Sequence, residues 1–406
     1  MSANAGDLWR DAELETHFSE LTELLKSSEY FWRYHAFKHL QLPWENRHPQ
    51  LAQCLCELSL DETEKLSESN AALWHFLRNK LPFIDGVEIA CALGEFSEAP
   101  SFGAEPYDVP GRKWRQICEF SKCIPANDLP LLEWCSGKAH LSRIAVRQRN
   151  CTALAIERDT QLIAAGKLLD AREGIAIEFH CLDVLSPNAP HLLRMQQNAI
   201  ALHACGDLHL RLLALSAEQR VKTITLAPCC YQLIADESRC AISRAALASG
   251  LNLQRDDLRT AVHGSVTAPE RQRKTRRQLQ AWRLGFDLLQ RDVRGTDEYL
   301  PTPSLPVAVL KQGFEKFCRH VAGNRGIALP DDIDYERYER AGLKRLYAVS
   351  ALDLPRIAFR RALELWLALD RALYLREKGY RVEVGEFCAH ALTPRNILIR
   401  AENRIG

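Results

Sequence analysis

The stretch LLEWCSGKAHLSR, Leu131 to Arg143, has an apolar lead, a turn holding one glycine, and a helix-like tail. That order of textures is a strand-to-helix junction. Outward from it, the chain repeats the theme. Short apolar runs occur at LPLLEW (129–134), TALAIE (152–157), IAIEFHCL (175–182), AIALHA (199–204) and KTITLA (222–227). Helix-like segments lie between most of them, the pattern of βαβ units and a parallel sheet covered on both faces. The core is α/β.

The flanks differ. In residues 1–100, Leu14, Phe18, Leu21 and Leu25 recur at helical spacing, an aromatic segment from Phe31 to Leu40 follows, and no strand alternation shows. A loop rich in Gly, Pro and acids, Gly94 to Gly111, ends this helical region. Helical patterns return after Tyr231, at Arg239 to Ala248, Glu270 to Arg283 and Phe359 to Lys378. Two last strands, RVEVGEFCAH (381–390) and NILIRA (396–401), read as an antiparallel pair added to the sheet edge. The expected organisation is therefore a helical region over 1–100, an α/β core over 110–235 and 358–406, and a helical insertion over 236–357.

At 406 residues there is ample chain for two or three structural units. Lys plus Arg exceeds Asp plus Glu by one, so no global field draws the chain to nucleic acid or membrane. Its 14 cysteines are scattered through apolar segments with no signal segment ahead of them, which points to reduced thiols in a cytoplasmic protein. No apolar run approaches the ~20 residues of a bilayer span, so no membrane partner is expected.

An open α/β sheet binds ligands at the carboxyl ends of its strands, where strand order reverses. Two turn patterns compete after the first strand. Aligned on Gly137, the dinucleotide pattern G-x-G-x-x-G needs glycine at Cys135 and His140. The E/D-x-G-x-G-x-G turn that holds S-adenosylmethionine needs it at Cys135 and Ala139, and alanine is the more tolerable replacement. Glu133 stands where that pattern has its acid, suited to the amino acid end of the ligand. Glu157 ends the second strand, placed to accept hydrogen bonds from both ribose hydroxyls. Asp183 ends the third, placed to receive an adenine amino group. Against this stands the blander reading, that strand ends collect polar residues in any α/β protein.

The fourth strand ends HACGDLH, with His203, Cys205, Gly206, Asp207 and His209, and the fifth ends APCCYQ, with Cys229, Cys230 and Tyr231. These ends face the methyl group and its acceptor in such an architecture. A zinc site is the rival reading, but structural sites favour paired ligands two to four residues apart, and adjacent cysteines rarely chelate one ion. No metal is expected, and small buried thiols are the plainer alternative.

ALHACGDL with APCCYQ, behind CSGKxHLS and ahead of TPRNILIRA, resembles the methyltransferase domain shared by the glutathione S-transferase C-terminal-domain-containing protein, the methyltransferase-like 25 proteins and, more distantly, the Trm13-type tRNA 2′-O-methyltransferases. The resemblance covers residues 110–235 and 362–402. It implies a Rossmann-like class I methyltransferase sheet binding S-adenosylmethionine, with a pocket lined by Cys135, Ser136, Gly137, Lys138, His140, Glu157, Asp183, His203, Cys205, Gly206 and Asp207. Relatives often carry glycine at position 139, where this chain has alanine.

Methyl transfer requires alignment of the acceptor and removal of its proton where it has one. Asp207 is the first candidate for that task, Tyr231 could stack on or hydrogen-bond the acceptor, and Cys229 or Cys230 ranks behind as a nucleophile. RNA is the expected acceptor, with protein left open. PERQRKTRRQLQAWR (269–283) carries Arg271, Arg273, Lys274, Arg276 and Arg277 with Trp282 near its end, suited to a phosphate backbone and one aromatic platform. A solvated helix face is the competing account. On the helix near the C-terminus, Leu363, Trp366, Leu367 and Leu373 form a packing stripe, and Asp370 on it calls for a structural ion pair. A catalytically inactive methyltransferase-fold protein that binds RNA or protein is the alternative to the enzyme, and a nicotinamide oxidoreductase is disfavoured by His140.

Overall fold

The computed structural model describes residues 7–96, 109–149, 151–237, 240–264, 270–303 and 310–404. The chain divides into two compact units. One comprises Met1–Ser27, Gly86–His263 and Arg360–Gly406, the other Ser28–Asp85 and Gly264–Phe359. Most of the expected loop from Gly94 to Gly111 lies outside the described residues.

The first unit is built on an eight-stranded sheet: β1 (Trp9–Arg10), β2 (Leu131–Trp134), β3 (Ala153–Glu157), β4 (Glu178–Cys181), β5 (Asn198–Cys205), β6 (Thr223–Cys229), β7 (Tyr380–Glu386) and β8 (Ile397–Asn403). Their spatial order is β1-β7-β8-β6-β5-β2-β3-β4. Strands β2 to β6 are parallel neighbours, while β8 runs antiparallel to both β6 and β7. All four residues of β2 are buried, as a strand covered on both faces should be. The chain winds outward from β2 through β3 to β4, then crosses back to β5 and on to β6. The order therefore reverses between β2 and β5, which puts the turn after Trp134 at the switch point. This is an open Rossmann-like α/β sheet.

Every strand read from the sequence is present, with two differences. The final antiparallel pair is added beside β6 as expected, but out of chain order, with β8 between β6 and β7. The additional strand β1 pairs Trp9 with Val384 and Arg10 with Glu383. Two residues are too few to show an alternation, and the strand is held by Trp9, which is buried, and by Asp11, whose amide donates to the Val382 carbonyl. Residues 7–27 thus lie in the sheet unit, apart from the helices that follow Ser28.

Local chemistry sets the helix ends. Thr160–Glu173 starts where the Asp159 carboxylate accepts from the Gln161 amide at 2.8 Å and stops at Gly174 in the left-handed region. The helix expected from Arg239 occupies Arg244–Ser249, because the Ser243 hydroxyl caps it by accepting from the Ala246 amide. Arg360–Glu377 is buried on nearly every side, including Leu363, Trp366, Leu367 and Leu373. Its Trp366 indole donates to Thr22 Oγ1 at 2.9 Å, which fastens it to helix Ala12–Ser27. Asp370 makes the ion pair expected of it, 2.6 Å from Arg371 Nη1, and also accepts from the Ser243 amide at 2.7 Å.

The second unit is helical. Its largest members, Glu270–Arg294, Phe314–Arg325 and Tyr335–Leu352, enclose a core that includes Trp282, Phe286, Phe317 and Val321. This corrects two readings of the basic helix. Trp282 is no platform for a base, being buried with its indole donating to Glu339 at 2.8 Å. Arg277 is committed to Glu64 and Asp61, at 2.6 and 3.2 Å. The Arg271 side chain lies outside the described residues. Arg273, Lys274 and Arg276 are exposed. All 14 cysteines are free thiols, and no helix among the described residues is long and apolar enough to cross a membrane.

Candidate active site

The turn after β2 is a run of left-handed residues. Cys135, Gly137 and Ala139 have φ of 58°, 57° and 55°, a conformation glycine enters without strain and other residues at about 1–2 kcal/mol each. The chain accepts that strain at two non-glycine positions. Ala139 is fully buried in the apolar cluster between the sheet and helices Gly111–Lys122 and His140–Gln148. The Ser136 amide donates to the Ile156 carbonyl and ties the turn to β3. The Ser136 hydroxyl is buried with no hydrogen-bond partner among the described residues.

Two residues expected to line a pocket here make hydrogen bonds to the helix that follows the turn. His140 is buried, with Nδ1 3.1 Å from Arg143 Nη2. Arg143 in turn pairs with Asp170 at 2.7 Å, which locks helix His140–Gln148 to helix Thr160–Glu173, and it donates to the Lys138 carbonyl. Glu133 accepts from the Ser142 amide at 2.9 Å and the Ser142 hydroxyl at 2.6 Å, both on Oε2. Its carboxylate therefore clamps the first turn of the following helix, where a negative charge is favourable.

Burial pushes the Glu133 carboxyl up to about 7, against the hydrogen bonds from Ser142 that favour the anion. The folded protein thus holds this proton more tightly than the unfolded chain. The group costs nothing below about pH 4.5 and progressively more as the pH rises to about 7. Glu133→Gln should gain stability relative to the parent between pH 5 and 7, by up to ~1.4 kcal/mol per pH unit, then run parallel above. Urea unfolding of both proteins at pH 5, 6, 7 and 8 measures it, and parallel curves throughout would refute it.

The acids of the next two strands are placed differently. Glu157 Oε2 accepts from the Gly137 amide at 2.9 Å, and Oε1 from the Arg158 and Asp159 amides at 2.8 and 3.0 Å. The carboxylate is half-buried and bridges the turn to the end of β3. Asp183 is exposed beyond β4, with one oxygen accepting from the Leu185 amide at 2.9 Å and the other 4.0 Å from Arg158. Turn, Glu157 and Asp183 stand on three neighbouring parallel strand ends.

At the ends of β5 and β6 the structure gathers more than the sequence suggested. A register shift between Leu202 and Ala204 places His203 at φ 66°, a bulge, with Nε2 3.1 Å from the Gln116 amide oxygen. Burial lowers the His203 pKa, favouring neutral imidazole. Cys205 and Cys229 are partners across the ladder with sulfurs 3.4 Å apart, and Cys230 at φ 47° turns its thiol to the same place. Hydrogen bonds from Cys205 and Cys229 lower the Cys230 pKa. No spacing rule signals this, since neighbouring side chains in a strand normally diverge.

Asp207 opens helix Asp207–Glu218 and accepts from the Ala235 amide at 2.7 Å, while its own amide donates to the Leu233 carbonyl. It fastens the loop after β6. Tyr231, the candidate for stacking on an acceptor, lies in the core. It is fully buried, edge-on to His209 at 5.6 Å and beneath the Arg371 guanidinium at 5.4 Å. A cleft of about 760 Å³ elsewhere in this unit, lined by Arg10, Glu95, Lys122 and Arg400 among others, includes none of these strand-end residues.

No curated protein matches the chain. Solved structures similar to the chain at low identity include the following three. Geranyl diphosphate methyltransferase in complex with geranyl diphosphate and sinefungin is 11% identical, with 38% of this chain and 64% of that one covered and a TM-score of 0.23. For coclaurine N-methyltransferase bound to N-methylheliamine and S-adenosylhomocysteine the values are 13%, 52%, 63% and 0.25. For the cyclopropane synthase MmaA2 from Mycobacterium tuberculosis they are 10%, 73%, 86% and 0.26. The chain spans just under two thirds of the length of the first two. Residues 112–237, from the helix ahead of β2 to the loop after β6, match the family model described as a methyltransferase domain. The chain thus carries a methyltransferase domain across the segment that holds the turn, Glu157, Asp183 and the thiol-rich strand ends.

Proposed function

We propose that the protein is an S-adenosylmethionine-dependent methyltransferase acting on RNA in the cytoplasm. The observation that carries the donor assignment is the left-handed turn after β2 together with two carboxylates at the next two strand ends. The residues present fit the donor. The partnerless Ser136 hydroxyl offers a hydrogen bond, Glu157 has oxygen lone pairs to spare for ribose hydroxyls, and Asp183 is exposed to an adenine amino group. When bound, the donor supplies an electrophilic methyl group. The chain's own work is to hold the acceptor in line and take its proton. His203, held neutral by burial, suits the proton at its free ring nitrogen; Asp207 acts as a positioning residue through the loop it fastens.

RNA as acceptor is supported by exposed Arg273, Lys274 and Arg276 and by the resemblance of ALHACGDL and APCCYQ to methyltransferase-like 25 and tRNA methyltransferase sequences. Incubation with tritiated donor and fractionated cell RNA and protein tests it. Label should be removed by ribonuclease and not by protease. Protease-sensitive label would overturn RNA, and donor binding with no label in any fraction would favour an inactive scaffold. If the basic helix meets phosphate, replacing Arg273, Lys274 and Arg276 with alanine should lower the slope of log K against log salt by about 2, at ~0.7 per single-strand contact. An unchanged slope would return that helix to ordinary solvated surface.

A further inference from the structure

Sequence spacing argues against a metal at the ends of β5 and β6, because vicinal cysteines in an extended chain send their thiols to opposite faces. The backbone removes that objection. Cys230 adopts φ 47°, which breaks the alternation after Cys229, and His203 adopts φ 66° in the bulge that precedes Cys205. Left-handed backbone at a non-glycine residue costs about 1–2 kcal/mol. Here two such residues flank one point, and what they accomplish there is convergence of thiols. The sulfurs of Cys205, Cys229 and Cys230 all lie within 4.8 Å of one another.

We propose that Cys205, Cys229 and Cys230 form a three-thiolate site for a zinc-class divalent cation, with the fourth coordination position left to an exogenous ligand. Tetrahedral zinc with Zn–S bonds of ~2.3 Å separates its sulfur ligands by about 3.8 Å. The observed 3.4 Å between Cys205 and Cys229 opens to that value with a small side-chain rotation. Among the described residues no further His, Cys, Asp or Glu joins the group. Three protein ligands with an open position are the arrangement of reactive zinc sites, whereas closed four-ligand sets are structural. Binding converts three thiols to thiolates, releases their protons and leaves a net charge of −1 with Arg395 among the nearby cations. The site stands on β5 and β6, and β5 adjoins the strand that carries the turn. It draws on none of the residues assigned to ribose or adenine, so it stands or falls apart from the donor assignment.

Cobalt(II) is the probe. The full chain, reduced, stripped with chelator and kept anaerobic, should bind one equivalent of cobalt with intense thiolate-to-cobalt charge-transfer absorption, and one equivalent of zinc should abolish it. Cys230→Ser should weaken cobalt binding at least 100-fold and reduce the charge-transfer intensity, while Cys56→Ser, which alters an exposed thiol elsewhere, should change neither. Cys229 is buried, so Cys229→Ser is informative only if it still unfolds cooperatively; half-buried Cys230 supplies the second variant. Absence of the band in the parent protein would overturn the proposal. So would a band that persists unchanged in Cys230→Ser, or a Cys205–Cys229 disulfide that survives reduction and excludes the metal.

Discussion

Glu157→Ala is expected to weaken binding of S-adenosylhomocysteine about 100-fold while the protein stays folded. Charged hydrogen bonds contribute ~1.5–3 kcal/mol each, and two ribose hydroxyls on one carboxylate set the loss near 3 kcal/mol. The same carboxylate accepts from the amides of Gly137, Arg158 and Asp159. The turn therefore loses its bridge to β3 as well, and pre-organisation falls with direct contact. Because Glu157 is only half-buried, water replaces it at these amides and the stability cost should be about 1–2 kcal/mol. Glu157→Gln keeps the size and one acceptor oxygen, so it should fall between parent and alanine. Titration calorimetry on the three proteins, with thermal unfolding beside it, separates the two effects. Equal affinities in all three would remove Glu157 from the donor site.

Gly206→Ala is expected to be the most damaging single methyl in the sheet unit. Gly206 has φ 53°, and an added Cβ would lie 1.9 Å from the Leu233 carbonyl oxygen and 2.9 Å from Leu233 Cα. These are backbone atoms, so no side-chain rotation relieves the clash. The neighbouring hydrogen bonds, from the Gly206 amide to the Cys229 carbonyl and from the Asp207 amide to the Leu233 carbonyl, would have to stretch. Overpacking of ~1–3 kcal/mol and left-handed strain of ~1–2 kcal/mol give a loss of about 2–5 kcal/mol. Urea unfolding should show it as a lower midpoint at an unchanged slope. A loss under 1 kcal/mol would mean that the loop after β6 moves freely, and would contradict a rigid site at the ends of β5 and β6.

The parallel core was legible because its inner strands are covered on both faces and so read as continuous apolar runs. LLEW, ALAIE and TITLAPC carry that signal unmistakably. Trp9–Arg10 could not be read, since two residues have no period and their pairing with β7 is set by contacts more than 370 positions away. The acids separated into two kinds that sequence cannot distinguish. Glu133, Glu157 and Asp183 all stand in or just beyond a strand's carboxyl-terminal half. Only the structure reveals that Ser142 claims the first, whereas the other two stand beside the turn. Trp282 and Arg277 failed as an RNA surface for a related reason. Helical spacing places residues on a face but does not say which are engaged within the protein: Trp282 is buried in its unit's core, and Arg277, nearer the surface, is taken by Glu64 and Asp61. The thiol cluster escaped because it depends on positive φ at His203 and Cys230, residues that rarely adopt it.

The most direct test of the account is titration of the unmodified full chain with S-adenosylhomocysteine in a calorimeter. The turn, Glu157 and Asp183 predict saturable binding at one ligand per chain in the micromolar range. No heat at millimolar ligand, from protein that unfolds cooperatively, would contradict a donor site at the end of β2.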